Sequence, residues 1–238
     1  MHSLVPTPEE QRQLDAFYEE IRYLDHLIID LRLNVGVMPN WFNTAFLVPN
    51  IERRFAIDGF VFIAYGDYSA EYANIRHGTL IDSGSGISSI DAQRRPVAEI
   101  LESYDLPDLN LADMERMDYG FRVQTVISPD QRSSGPVFPG KIWLLTGPYM
   151  RWAAQISAWT AKESGFVTLV GEVTGGIVSG PRTFVALPNS GIVFQMGLYY
   201  VTDSRGRPLE AGIAPHIFNR EGMDALETVL ALIAEGAY

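Results

Sequence analysis

The chain of 238 residues contains no cysteine, which excludes disulfides, a thiolate nucleophile and metal sites with cysteine ligands. Basic residues are also scarce, since 18 lysines and arginines stand against 29 acidic residues and the formal net charge is −11. This balance argues against binding to a nucleic-acid backbone or an anionic membrane, because both require clustered positive charge. No apolar run approaches the roughly 18 residues of a membrane span. The first residues lack the basic and apolar regions of a signal peptide, although the chain could be an excised or matured domain.

Several catalytic and cofactor motifs are missing as well. The four histidines do not show the spacing of two metal ligands on one helix, so we expect neither a metal nor a cofactor. No Gly-x-Ser-x-Gly sequence occurs, which disfavours an α/β-hydrolase. Residues 135–141 imitate a phosphate-binding loop, but Ile142 replaces the required serine or threonine and Lys141 begins a strand instead of a helix.

The residues that are present predict one α/β domain spanning 1–238, because 47% of them are hydrophobic and apolar strand runs alternate with amphipathic helices. We expect a layered fold with one mostly parallel sheet flanked by helices, followed by a C-terminal β-hairpin. The predicted sheet contains strands 25–31, 59–65, 121–127, 141–146 and 166–170. The predicted helices are 8–23, 40–48, 91–104, 149–164 and 222–234, the hairpin strands are 182–187 and 192–201, and 68–90 is an irregular excursion.

One stretch carries most of the functional information. Residues 141–176 read as a strand, Thr-Gly-Pro, a helical run, a second strand and Gly-Glu-Val-Thr-Gly-Gly. Together with residues 27–36, LIIDLRLNVG, this stretch resembles the core of the tail-specific, or C-terminal processing, serine peptidases, and is closer to their tricorn-like and retinoid-binding-protein-like branches. The resemblance covers about residues 1–220. It implies the fold shared with the Clp-protease and crotonase families, peptide-bond hydrolysis as the family reaction, and a location compatible with export.

The resemblance also identifies a missing nucleophile. The family carries its serine in a Thr-x-Ser-Ala-x-Glu stretch after the strand, and Trp152 occupies that serine position here. The family's two oxyanion donors would correspond to the amides of Gly36 and Ala153, and Asn34 is retained from the family's Arg-x-Asn-x-Gly-Gly turn. Two alternative interpretations stay open, namely that Gly36 only makes a tight turn and that Trp152 is only a core aromatic residue.

A serine nucleophile also needs a base, and the sequence offers few. The lysine position of the tail-specific branch falls on Ile177, and the branch-specific glutamate expected near 195–197 is not present. The histidine of the tricorn-like branch could correspond to His2, although it lies in a terminus where fraying is the default. Ser157 is on the wrong side of its helix to replace a serine at position 152, and no base is found for Ser179.

Two classes of function follow from these residues. In the first, the chain is a peptidase-family domain that no longer catalyses hydrolysis and binds a peptide or protein segment in a cleft beside a strand edge, lined by Trp152 and Met150. In the second, it is an active hydrolase whose nucleophile is misassigned or supplied from elsewhere. A crotonase-like acyl-coenzyme-A enzyme is a weaker third reading, because no basic residues cluster near the glycine turns. Whether the chain is an enzyme, its oligomeric state and its compartment are left open by the sequence.

Overall fold

The structure, a computed structural model, describes residues 7–36, 42–64, 94–129, 137–176, 182–197 and 199–236. The chain divides into two compact units. The first contains Met1–Ile57, Thr125–Val178 and Glu210–Tyr238, and the second contains Asp58–Gln124 and Ser179–Leu209. The single domain expected from the sequence stays a prediction. The excursion expected at 68–90 lies outside the described residues.

The first unit is built on a four-stranded parallel sheet. Its strands are β1 (His26–Asp30), β5 (Lys141–Thr146), β6 (Val167–Gly171) and β10 (Ile217–Phe218), in the order β1-β5-β6-β10. Leu27 lies opposite Ile142, and Ile142 lies opposite Val167. The α/β fold class with a parallel sheet flanked by helices is therefore confirmed.

Apolar side chains cover both faces of this sheet. Trp143, Leu145 and Val170 form a buried cluster with the last helix, here called α5 (Ala225–Ala234). Ile142 and Leu144 alternate with them along β5 and are also at most 1% exposed. Full burial of a side chain of this size is worth roughly 1.5–3 kcal/mol. Burial on both faces explains why β5 is a continuous apolar run, as is typical of a parallel strand.

Two helices of the first unit begin at clear caps. In α1 (Pro8–Ile21), Thr7 and Glu10 form a reciprocal capping box with proline at the first helical position, as the sequence predicts. The helix ends at Ile21, two residues before its expected end. The closing helix α5 begins three residues later than expected, because Asp224 is its N-cap and forms a second capping box with Glu227.

A buried polar network joins α1 to the segment that follows β1. The Tyr18 hydroxyl donates to the carbonyl of Ala45 at 2.7 Å and accepts from the Asn50 amide group at 3.0 Å. The same side chain of Asn50 donates to Phe46 O and accepts from the Phe138 amide. Ala45 and Phe46 lie in a short π-helical segment, Asn43–Leu47, where the sequence predicts a helix over 40–48.

The second unit contains a different sheet, and this corrects the expectation of one parallel sheet. Strand β2 (Phe55–Ile63) is antiparallel to β9 (Tyr199–Asp203), and β3 (Arg95–Pro96) is antiparallel to β4 (Tyr119–Ile127). The order is β3-β4-β2-β9. The strands predicted at 59–65 and 121–127 therefore do not join β1, β5 and β6.

The physical reason lies in the burial of β2. Phe60 and Phe62 pack in one cluster with Val97 and Ile100 of α2 (Val97–Ser103). The alternate residues of β2 pack in another cluster with Phe121. A strand covered on both faces is apolar throughout, and such a run does not specify whether its neighbours are parallel or antiparallel. The helix expected at 91–104 is shortened to α2, because Arg95–Pro96 pair with β4.

The remaining elements of the chain follow in order. A short helix, α3 (Leu111–Met114), precedes β4, and α4 (Ala153–Ser164) connects β5 to β6. The predicted hairpin is present as β7 (Arg182–Ala186) and β8 (Val193–Gly197), which are antiparallel. Its second strand is shorter than expected because the residues from 199 onwards form β9.

Candidate functional site

Three loops of the first unit carry the residues that the sequence singles out. They follow β1, β5 and β6, whose carboxyl ends meet at one edge of the parallel sheet. In open α/β sheets this edge is where ligands bind. The geometry of these loops therefore decides what the candidate site can do.

Trp152 is the N-cap of α4 and has a strained backbone, with φ 61° and ψ −124°. Among the described residues it is the one non-glycine residue with a positive φ. For a bulky residue such a conformation costs of order 1–3 kcal/mol and persists only when the surroundings enforce it. The helix predicted over 149–164 begins four residues later, at Ala153. The reason is that Gly147 to Met150 form a turn, which is closed by a hydrogen bond from the Met150 amide to the Gly147 carbonyl.

The loop after β1 accepts hydrogen bonds from the backbone on both sides of Trp152. The Arg151 amide donates to the Asn34 carbonyl at 3.2 Å, and the Ala153 amide donates to the Gly36 carbonyl at 3.0 Å. These two bonds flank Trp152 and hold its backbone in the strained conformation. The structure therefore brings together four of the five residues named from the sequence, namely Trp152, Ala153, Asn34 and Gly36. His2, the fifth, lies outside the described residues.

Both amides that correspond to the family's oxyanion donors already have acceptors. The Ala153 amide donates to the Gly36 carbonyl, and the Gly36 amide donates to Asn34 Oδ1 at 2.6 Å. Ala153 is also only 6% exposed. In this arrangement neither amide is available to stabilise a developing oxyanion, which requires donors aimed at an empty position.

Arg32 fixes the start of the same loop. Its guanidinium forms a bidentate pair with Asp30 and donates to Asp224, the N-cap of α5, at 2.9 Å. The Arg32 side chain is only 27% exposed, and a Cβ atom added at Gly147 would contact its Cβ and Cγ atoms. Hydrogen bonding to Asp30 raises the pKa of Arg32 and lowers the pKa of Asp30. The loop is therefore anchored to both β1 and α5 before it reaches Asn34.

Gln155 ties the glycine-rich loop after β6 to the first turn of α4. Its Oε1 atom accepts from the Thr174 hydroxyl at 3.0 Å and from the Gly176 amide at 2.7 Å. Gln155 is fully buried, and Thr174 in turn accepts from the Ile213 amide. Sequence reasoning missed this role, although Gln155 occupies the glutamate position of the Thr-x-Ser-Ala-x-Glu pattern. Glutamine keeps the acceptor oxygen without placing a negative charge in the buried first turn of α4.

The backbone of Glu210 packs against the glycine-rich loop after β6. Gly176, with φ 74°, packs so closely on the Glu210 carbonyl that a Cβ there would approach its oxygen to 2.1 Å. Local desolvation raises the pKa of the Glu210 carboxyl, although the residue as a whole is exposed. Its position next to the Gly176 turn could not be read from the sequence, because it depends on the return of the chain after β9.

The two described histidines have structural partners away from this loop cluster. His26 is the first residue of β1, and its Nδ1 atom accepts from Trp143 Nε1 at 3.3 Å. His216 Nδ1 accepts from the Leu169 amide at 3.0 Å. Burial, with Lys162 and Lys141 nearby, lowers the pKa of His216. His77 lies outside the described residues.

The serines give no replacement nucleophile where they are described. Ser157 is 3% exposed, and its hydroxyl donates to the Ala153 carbonyl at 3.0 Å, so it is held inside α4. Ser179 lies outside the described residues. Within the described ranges, no group of three histidine, aspartate or glutamate side chains could hold a metal ion, and no helix there is long and apolar enough to cross a membrane.

The exposed surface of the site differs from the expected one. Met150 is fully buried, so it cannot line an accessible cleft as the sequence suggested. Three other apolar side chains of the same loops are exposed instead: Leu33 at 78%, Val35 at 58% and Tyr149 at 64%. Trp152 itself is partly buried. The loops around Trp152 therefore present apolar groups to solvent.

Comparison with known proteins identifies the family. Residues 67–218, more than half of the chain, match the model of peptidase family S41, and the chain belongs to this family. The predicted relation to the tail-specific serine peptidases is confirmed. No curated protein matches the sequence closely enough to count as a relative.

Two solved structures with TM-scores above 0.5 show the same fold at low sequence identity. A peptidase candidate from Parabacteroides merdae is 17% identical with a TM-score of 0.57, and the match covers 94% of this chain and 56% of that one. Mature CPAF complexed with lactacystin is also 17% identical, with a TM-score of 0.56 and coverage of 99% and 47%. The photosystem II D1 C-terminal processing protease is 15% identical, with a TM-score of 0.44 and coverage of 92% and 42%. The chain thus spans about half the length of these structures.

Proposed function

We propose that this S41 domain binds an extended peptide segment and does not hydrolyse it. The observation that carries the proposal is the strained strand-to-helix turn at Trp152. Sharp turns of this kind present the catalytic nucleophile in other hydrolases, where the strain projects the side chain into the site. Here the turn is retained and the residue on it is a tryptophan, which has no nucleophilic group.

The hydrogen bonds around Trp152 support the loss of catalysis independently. A serine peptidase needs amide donors directed at the oxyanion, whereas the amides of Ala153 and Gly36 are bonded to acceptors of the chain itself. The described histidines, His26 and His216, are engaged elsewhere as hydrogen-bond acceptors. Among the described residues we therefore find no candidate nucleophile, no available oxyanion donor and no candidate base for this site.

Peptide binding is supported by the exposed side chains beside the turn. Leu33, Val35 and Tyr149 are more than half exposed to solvent. The first two are aliphatic residues, which are usually buried. Exposed apolar groups gathered at a ligand-binding edge favour an interaction surface. The partner that fits them is an extended peptide with apolar side chains, and this is the substrate class of the family.

The direct test compares three forms of the full chain with a fluorophosphonate probe and with casein, an unstructured polypeptide. We expect the wild type to be unlabelled and to leave casein intact, since removal of a serine-peptidase nucleophile leaves only roughly 10³–10⁴-fold catalysis over water. Trp152→Ala is the matched control for loss of the ring, and Trp152→Ser restores a hydroxyl at the same position. Labelling restricted to Trp152→Ser would support the assignment of this position. Inhibitor-sensitive casein cleavage by the wild type would refute the proposal.

A further inference from the structure

The hairpin β7–β8 of the second unit presents an apolar face to solvent. Val185 lies opposite Phe194 in the antiparallel register, and the Leu187 amide donates to the Ile192 carbonyl at 2.8 Å. Residues opposite each other, and residues two apart along one strand, lie on the same face of a sheet. These four side chains, here called the hairpin face, therefore form one continuous apolar surface. All of them are exposed except Val185, which is partly buried.

The hairpin lacks the charged residues that normally protect such a surface. Residues 183–202 contain no aspartate, glutamate, lysine or arginine, in a chain whose net charge is −11. Natural proteins usually place charged side chains on exposed strands, because an uncharged apolar strand associates with other strands. A two-stranded hairpin is also only marginally stable in water without a further layer on its apolar face. The hairpin face is therefore typical of an interaction surface.

Charge indicates which partner fits this face. The overall charge of −11 opposes the close approach of two copies of the chain, except where the surfaces that meet carry no charge. The hairpin face meets this condition, and a second hairpin face offers the same shape and chemistry. Two sheets can pack face to face at a separation of about 10 Å through side chains of this kind. An anionic membrane surface fits less well, because residues 183–202 carry no lysine or arginine to attract it.

We infer that the hairpin face is a self-association surface, through which two copies of the chain pack face to face around a two-fold axis. In such a contact the same residues meet on both copies, so each residue contributes twice. The contact is small, since it consists of one face of a single hairpin. It falls at the low end of specific interfaces, and we expect a dimer with a dissociation constant on the order of 10–100 µM. This association is separate from the peptide binding proposed at Trp152, and either can fail without the other.

Ile192 and Val193 form a matched pair for testing the face. They are adjacent in sequence and almost equally exposed, at 59% and 60%. Val193 lies opposite Ala186, so its side chain points to the other face of the hairpin. A glutamate at either position adds the same charge to the same hairpin, but only Ile192→Glu places that charge in the proposed contact.

Sedimentation velocity of the full chain, over a concentration series that brackets the expected dissociation constant, tests the inference. We expect the wild type to change from monomer to dimer across the series, and Val193→Glu to follow it. Ile192→Glu should raise the dissociation constant at least about thirtyfold, because both copies lose an apolar contact and would bury a charge. A wild type that stays monomeric would overturn the inference, as would equal weakening by the two variants or a dimer that neither variant weakens.

Ile192→Thr guards against loss of the hairpin itself, because threonine is also β-branched and favours a strand. It should raise the dissociation constant about tenfold without adding a charge, and an unchanged dissociation constant would contradict the proposed contact. Sodium chloride should leave the dimer intact or strengthen it, since salt screens the repulsion between two acidic copies. Dissociation by salt would show that the dimer forms through charged residues elsewhere, and would refute the hairpin contact.

Discussion

The backbone at Trp152 can be tested without knowing any ligand. Trp152→Ala and Trp152→Gly both remove the indole ring, so the difference between them reports only on the backbone. Because φ is 61° and ψ is −124°, alanine at this position retains the strain and glycine does not. The strain is of order 1–3 kcal/mol. Trp152→Gly should therefore be clearly more stable than Trp152→Ala.

Part of that difference would arise at any helix start, since glycine is a better N-cap than alanine by about 0.5–1 kcal/mol. Asp224 is the matched control, because it is the N-cap of α5 with an ordinary φ of −84°. The advantage of glycine over alanine at 152 should exceed the advantage at 224 by about 1–2 kcal/mol. Both pairs can be measured by urea unfolding, with the slope m checked for constancy.

Equal differences at the two positions would refute the reasoning, since they would show that Trp152 is not strained. The same outcome would remove the main support for regarding this turn as the remnant of a nucleophile position. A larger difference at 152 would show that the chain maintains a strained turn although no serine stands there. Such strain is typical of functional sites.

Three further predictions concern the residues around the site and the core. Gln155→Met, which keeps the approximate volume but cannot accept two bonds, should cost about 2–3 kcal/mol in urea unfolding because the Thr174 hydroxyl and the Gly176 amide lose their acceptor; a cost below about 1 kcal/mol would mean that these donors find other partners. Asn50→Ala should lower the unfolding free energy by about 2–4 kcal/mol, since this fully buried residue connects α1 with the backbone at Phe138, and a neutral result would contradict the network. Arg32 lowers the pKa of Asp30, so their pairing stabilises the fold above the unfolded-state pKa of Asp30 and this stability is lost as the pH falls through the folded-state pKa. Arg32→Gln should therefore melt below the wild type near neutral pH and approach it in acid, whereas a constant difference in Tm would contradict the pairing.

Three elements of the fold were predictable from local sequence patterns. Thr7 and Glu10 identify the start of α1 from local chemistry alone, because a capping box needs only residues three apart. The limits of β5 were also predictable, since a short apolar run that ends at Thr-Gly-Pro is typical of a buried strand. The hairpin β7–β8 was also predictable, because two apolar segments flank a Pro-Asn-Ser-Gly turn.

Strand partnership was not predictable in the same way. The run at 59–63 is as apolar as β5, but it pairs with β9, which is more than a hundred residues later in the sequence. Apolar content records that both faces of a strand are buried and carries no information about the direction of its neighbours. The error of placing β2 and β4 in the parallel sheet follows directly from this degeneracy.

At the candidate site, the sequence by itself determined which residue types are present: a tryptophan at the serine position, one glycine after Asn34, and a glutamine in place of glutamate at 155. Only the tertiary structure decided how they are used. Trp152 adopts a positive φ because Asn34 and Gly36, more than a hundred residues earlier, accept bonds from the amides on either side of it. Such bonds depend on two loops meeting at the edge of the sheet, and no local pattern encodes that meeting. Residue identity is therefore a property of the sequence, whereas the closure of the amides beside Trp152 is a property of the folded chain.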